Sequence, residues 1–336
     1  MSKNPFQSVI EALLDSSKPF PKKYLNLFSD MDFISLRLLL ADWPRVSSAR
    51  KRSLLDDLGD LLGENTVVAF DDFARALLSD PDASVRVGAM RLLAECEDAK
   101  LLPVYEKILS SDPDPAARAE AARVLNLFVQ LGEQEEIPEA AFRRAETVLL
   151  AASRDDDTRV RRAALESLGY SSRQEVSALI AAALKREDPD WQASALIAIG
   201  RSNDERWSET VVRMLLSEER GVKIEAARAA GELALPAARL PLLRMLNEED
   251  DPEIFAAAIW SLSQVGGEDV RTYLENLLDQ TDDDDLIAYI EDALANLSFT
   301  EDLGGFDLFA LDPDTELTEW KEEEKPAPKK GVKKNK

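Results

Sequence analysis

The chain has 336 residues, 45% of them hydrophobic, and a formal net charge of −24. That balance repels nucleic acid and anionic membranes and favours basic partners. With no histidine and a single cysteine, Cys96, the chain lacks the parts for Ser-His-Asp or Cys-His catalysis, His-based zinc or iron sites, thiolate clusters and internal disulfides.

The first twenty residues, MSKNPFQSVIEALLDSSKPF, have no charged n-region leading into an uninterrupted apolar core, so no secretory signal is expected. No run approaches the roughly 18 apolar residues that a membrane span needs. A soluble cytoplasmic protein is the expectation. Helices are predicted over 6–14, 24–28, 33–40 and 50–62, with prolines and Gly63 between them. Residues 1–65 follow no repeat frame and read as a helical capping region, a small separate domain being the alternative.

From residue 66 a frame recurs. Its first core position is Val85, Ala117, Val160, Trp191, Val222, Ile254 and Leu286, spaced by 31 or 32 residues with one interval of 43. Four residues on stand Ala89, Ala121, Ala164, Ala195, Ala226, Ala258 and Ile290, and eight on a further mostly aliphatic column, so each copy carries one apolar stripe. Three residues before the stripe the side chain is always acidic: Asp82, Asp114, Asp157, Asp188, Glu219, Asp251 and Asp283. An acid there suits a helix N-cap, and the near-constant alanine requires close helix approach. A second amphipathic segment precedes each copy, so each period holds two helices. The long interval contains LGEQEEIPEAA, residues 131–141, expected as a surface loop. Gly169 ends the most regular copy and reads as a helix stop.

The acidic-x-x-V-R-x-x-A frame of Asp82–Val85–Arg86–Ala89, Asp157–Val160–Arg161–Ala164 and Glu219–Val222–Lys223–Ala226 resembles HEAT-like repeats, especially the short bacterial phycobilisome-lyase type. The resemblance covers about residues 66–298. It implies an all-α fold, an α-solenoid wound as a right-handed superhelix of about seven helix pairs, with the second helix of each pair lining the inner face. It implies a non-catalytic scaffold for a protein or peptide partner, with a bilin-lyase-like or other enzyme-accessory subunit as the alternative. No cofactor is expected. The HEAT-repeat hydroxylases bind iron through histidines, which are missing here, and the glycosylases of this type use a basic groove at odds with this acidity.

The acidic runs at 155–157 and 282–285 precede repeat helices and read as caps, since neither has the spacing of a calcium loop. No phosphate-cradling glycine motif occurs. Binding candidates fall into two groups. One position after the first core residue runs a basic column (Arg86, Arg118, Arg161, Lys223) that can lie along the stripe and meet acidic turns of the next repeat. Six positions after it stand Arg91, Arg123, Arg228 and Trp260, with Arg162 and Arg201 on the same helices. The turns following two successive copies add Tyr170, Arg173, Arg206 and Trp207, a composition enriched at binding hot spots, although the two aromatics can equally seal hairpin ends. Residues 299–336 form an acidic-aromatic then lysine-rich tail, expected to be mostly disordered, with Phe306, Leu308 and Phe309 either covering the last repeat or occupying the groove.

Overall fold

The computed structural model describes residues 6–305, with side chains described through Phe299. Among them there are eighteen α-helices and no strand. The first three are α1 (Phe6–Leu14), α2 (Phe33–Asp42) and α3 (Ser48–Glu64), with a 3-10 segment over Lys22–Phe28. Pairs then follow: α4 (Asp71–Leu77) with α5 (Ala83–Leu92), and α6 (Leu102–Ser111) with α7 (Pro115–Val124). After an additional helix, α8 (Asn126–Glu133), come α9 (Glu139–Ala152) with α10 (Thr158–Leu168), and α11 (Gln174–Leu184) with α12 (Pro189–Arg201). The last six are α13 (Ser208–Met214) with α14 (Arg220–Glu232), α15 (Arg239–Glu248) with α16 (Pro252–Val265), and α17 (Glu268–Gln280) with α18 (Asp284–Gly305). Among the described residues no helix is long and apolar enough to cross a membrane.

Helix starts follow from the acidic column. The side chains of Asp82, Asp114, Asp157, Asp188 and Asp251 each accept a backbone N–H of the first turn, and Asp283 accepts those of Asp285 and Leu286. Glu219 makes no such bond. Its extra methylene carries the carboxylate past the cap position, and its own N–H is taken by Ser217 Oγ at 3.2 Å. Pro115, Pro189 and Pro252 occupy the first turn, where a missing N–H is harmless.

The apolar stripe is the core. The alanine column from Ala89 to Ala258 is completely buried, as are Val85, Val160 and Val222. These small residues let second helices pack on one another in an unbroken series, α3–α5–α7–α10–α12–α14–α16–α18. First helices stand farther apart, α6 and α9 excepted. A layer of closely spaced helices joined to a layer of widely spaced ones bends toward the former, so the second helices form the inner face of an α-solenoid.

Three expectations are corrected. The long interval is no loop throughout: α8 covers its beginning, with Leu131 and Gly132 buried, and only residues 134–138 are irregular. The frame begins one helix earlier than residue 66. Ser47 caps α3, Lys51 stands where Arg86 stands in α5, and Leu54 and Leu58 fill the places of Ala89 and Leu93. An arginine in the first core position disguises this copy; Arg50 is buried because its guanidinium donates to the Asp15 and Lys18 carbonyls. Helix α18 continues to Gly305, beyond Leu297, where the periodicity stops. The patch at Phe306, Leu308 and Phe309 and the lysine-rich end lie outside the described residues.

Helix α10 ends at Leu168, immediately before Gly169 as expected, but Gly169 caps it with an ordinary helical φ of −52° rather than a left-handed one. A Cβ there would lie 2.7 Å from Ala198 Cα and 2.8 Å from its carbonyl oxygen. Gly200 and Gly231 hold the same frame position in α12 and α14, with a Cβ falling 3.2 Å from Ala229 Cα and 2.8 Å from Ser261 Cα. Glycine is therefore needed for close approach of consecutive second helices.

Two substitutions test this packing by thermal denaturation. Ala164→Leu should lose about 1–3 kcal/mol through overpacking. Gly169→Ala should lower the melting temperature although alanine is the better helix former by ~1 kcal/mol. Unchanged melting in both variants would refute the assigned contacts.

Candidate partner-binding surface

The basic column beside the stripe is consumed by the fold. Arg86 donates from Nε and Nη2 to the Asp112 carboxylate at 2.8 and 2.6 Å, and from Nη1 to the Asp80 carbonyl at 2.7 Å. Arg118 grips Asp155 with two bonds of 2.9 Å and also donates to the Asp112 carbonyl. Lys223 pairs with Glu249, and Lys51 with Asp80 at 3.1 Å, where Trp43 Nε1 also donates at 2.7 Å. The acceptors share one frame position, two residues before the cap. Asp80, Asp112 and Asp155 also accept the cap residue's own N–H. Each rung thus ties a helix to the turn of the next repeat. The ladder breaks where that position becomes Arg186. There Arg186 and Arg161 instead lie over Trp191, at 4.2 and 6.0 Å from its ring centre, and Gln192 donates to the Arg186 carbonyl at 2.8 Å.

The column six residues on is at the inner surface, and most of its charge is internally compensated. Arg91 and Arg123 are exposed and share Glu120, at 3.5 and 3.1 Å. Arg162 donates to Ser194 Oγ at 2.9 Å and Asp190 at 2.7 Å, and that serine donates to Glu166 at 2.5 Å. Arg228 donates to Glu225 at 2.7 Å and to Glu253 at 3.4 Å. Arg228 and Trp260 come together, with Glu232, Glu253, Ala256, Ala257 and Tyr289, around a cleft of about 230 Å³ between α14, α16 and α18. Burial pushes the Glu225 and Glu232 carboxyl pKa values up; Glu232 keeps an exposed flank, so the cause is the dense protein around its carboxylate rather than complete enclosure.

The turn candidates are not gathered into one site. Arg201 lies over the Tyr170 ring at 5.4 Å and donates to the Glu166 carbonyl at 2.8 Å, an arrangement that joins α12 to the end of α10. Arg173 bonds Glu175 at 2.8 Å and stands 3.8 Å from Glu146. Glu146 is fully buried and accepts from Ser171 Oγ at 2.5 Å and Arg143 at 2.9 Å. Arg206 turns back onto Asp204. Trp207 is half-buried against the core with its Nε1 lacking an acceptor. Tyr170 and Trp207 therefore pack over hairpin ends.

Other groups have local roles. Asp155, Asp157 and Asp283 serve as the caps and acceptors described above, and no cluster of three or more potential metal ligands occurs among the described residues. The Cys96 thiol donates to Asp71 at 3.0 Å, and burial raises its pKa. An apolar surface unmarked by any repeat signal also emerges on the first turn of α2, where Phe33 and Ile34 are exposed. Sequence reasoning missed Glu232, Glu253 and Tyr289. They occupy three different frame positions, so no column singles them out.

The HEAT repeat family profile matches residues 71–141, 145–223 and 208–295. The chain belongs to the HEAT repeat family. Among solved structures, the complex of CpcE and CpcF of phycocyanin lyase from Nostoc sp. PCC7120 is 20% identical, over 68% of this chain and 94% of that one, with a TM-score of 0.45. YibA of Escherichia coli is 19% identical, over 83% and 98% of the two chains, at 0.44. Importin beta is 13% identical, over 88% of this chain and 47% of its own, also at 0.44. No curated protein matches the sequence.

Stability measurements separate the two basic columns. Arg118→Ala should cost about 1–3 kcal/mol in urea unfolding, because it leaves the Asp155 carboxylate partly buried and unpaired. Arg91→Ala should stay within about 0.5 kcal/mol, because Arg123 at 3.1 Å still holds the buried Glu120. Equal losses would refute the division.

The caps also predict acid sensitivity. The Arg159 side chain holds Asp157 at about 2, and Arg220 does the same for Asp251, both below an ordinary 3.8. A carboxylate with a lowered folded-state pKa lends stability above its unfolded pKa and loses it as pH falls through the folded one. Urea midpoints should therefore drop as pH falls from about 4 toward about 2, and Asp157→Asn should shrink that drop. Glu225 and Glu232 work in the opposite sense, because raised carboxyls favour the folded state at low pH. An Asp157→Asn profile parallel to that of the native chain would exclude the assignment.

Proposed function

We propose that the chain is a non-catalytic interaction scaffold that binds a protein or peptide on the inner face of its solenoid, without nucleic acid, membrane or cofactor. The observation carrying this reading is the division of labour among its charged residues. The ladder of Lys51, Arg86, Arg118 and Lys223 is spent on the fold, whereas Arg91, Arg123, Arg228, Trp260 and Tyr289 leave accessible surface on the same layer of second helices. Those groups sit on a rigid, continuously packed layer, so a ligand there meets a surface that needs little ordering. Arginine and aromatic side chains on such a layer have the composition of an interaction hot spot. The net charge of −24 favours a basic partner and speeds its encounter.

Site-specific photo-crosslinking tests the reading. A benzophenone side chain at Arg123 or Arg228, on the inner helices, should yield one protein adduct at near-equal stoichiometry in cells. The same group at Glu209 or Leu240, on first helices, should yield none. Adducts confined to the first-helix positions would overturn the inner-face assignment.

A further inference from the structure

The cleft between α14, α16 and α18 has two aromatic walls. Trp260 is held against α14 at Gly231, where a Cβ would come within 2.6 Å of the indole, yet it remains half-exposed. Tyr289 is fixed by donating its hydroxyl to the Ala256 carbonyl at 2.9 Å, and 36% of it stays accessible. Ala256 and Ala257 line the space between them. At about 230 Å³ the cleft falls below the roughly 300–1,000 Å³ of pockets that enclose small-molecule ligands, which suits one long side chain.

Its charges are unequal. Glu225 and Glu253 both accept from Arg228, and Glu253 accepts from Arg220 as well, at 2.8 Å. Glu232 makes no hydrogen bond or ion pair with any described residue; its carboxylate leans over Gly200 of α12, with Arg201 and Arg228 the cations acting on it. An incoming carboxylate would add to the negative charge of Glu232 and Glu253 at the rim, and an apolar group would cover these carboxylates without compensation. A cation in the cleft would offset those charges and lie beside the rings of Trp260 and Tyr289.

We infer that this cleft receives a lysine or arginine side chain from a basic segment of the protein partner. The inference rests on the inner-face reading above and gives that partner its chemistry. The raised pKa values of Glu225 and Glu232 are the response of carboxylates crowded first by protein and then by neighbouring carboxylates, Glu166 and Glu253 for the former and Glu225 for the latter, and a bound cation would bring them down.

The probe is a fluorescein-labelled lysine-glycine decapeptide, measured by anisotropy against the full chain. A peptide with acetylated lysines and one with glutamate in their place serve as controls. The lysine peptide should bind at least about tenfold more tightly than either. Trp260→Leu, Tyr289→Leu and Glu232→Gln should each weaken it about fivefold. Glu209→Gln removes the same charge from exposed surface on α13 and should leave affinity unchanged. Circular dichroism melting checks that each variant is folded, and Tyr289→Leu tests the aromatic wall if Trp260→Leu does not fold. Equal effects of the two glutamate substitutions, with no effect of either aromatic one, would reduce the binding to diffuse attraction and overturn the proposal. Preference for the glutamate peptide would do the same. Tighter binding after replacement of Lys329, Lys330, Lys333, Lys334 and Lys336 by glutamine would assign the cleft to the chain's own lysines and overturn the assignment to a partner. Failure of these peptide tests while the inner-face crosslinks persist would remove the cation site alone; crosslinks only on first helices would remove the scaffold reading itself.

Discussion

The structure depends on how closely one second helix can approach the next. A helix pair of this kind cannot cover its own apolar stripe, so stability comes from stacking on neighbours. Buried alanines at the middle of each second helix and glycines near the ends of α10, α12 and α14 permit backbones to come together where larger side chains would hold them apart. The bend of the solenoid and the existence of a distinct inner face follow from that spacing.

The contact is secured differently at its two edges. At the edge carrying the turns within each pair, carboxylates two residues before the caps receive basic side chains from the preceding repeat, and these partly buried, bidentate pairs have geometry that exposed ion pairs lack. At the opposite edge, glycine replaces the ion pairs with direct backbone approach. The glycine series starts at α10 and runs to α14, the part of the array where the ladder is broken at Arg186. Close packing therefore supports the array where the rungs are interrupted, and the ladder resumes at Lys223 and Glu249. A consequence for function is that arginines near the turns are committed to holding the array. Free surface chemistry is left mainly on the inner face, where Trp260 can be seated because α14 has no side chain at Gly231.

Much of this was legible in residue order. The acidic, small and aliphatic columns recur at a fixed interval, and each maps onto a local physical demand: a cap, a close approach, a core contact. The copy at α3 escaped notice because Arg50 stands in a core position, and only its reach to the Asp15 and Lys18 carbonyls explains how a charge is tolerated there. Gly169 marks the end of α10 in the sequence, which shows the missing side chain but not the Ala198 backbone that requires it.

The sequence by itself determined the repeat, its helical class, its start signals and the acidity that favours a basic partner, because each depends on residues near one another along the chain or on composition alone. Tertiary structure decided which cations remain available. A column of arginines reads as a basic surface until each guanidinium is matched to a carboxylate from its own or a neighbouring helix. It also assembled the cleft, since Glu232 on α14, Glu253 on α16 and Tyr289 on α18 occupy unrelated frame positions and join Arg228 and Trp260, which share one, only when three repeats stack.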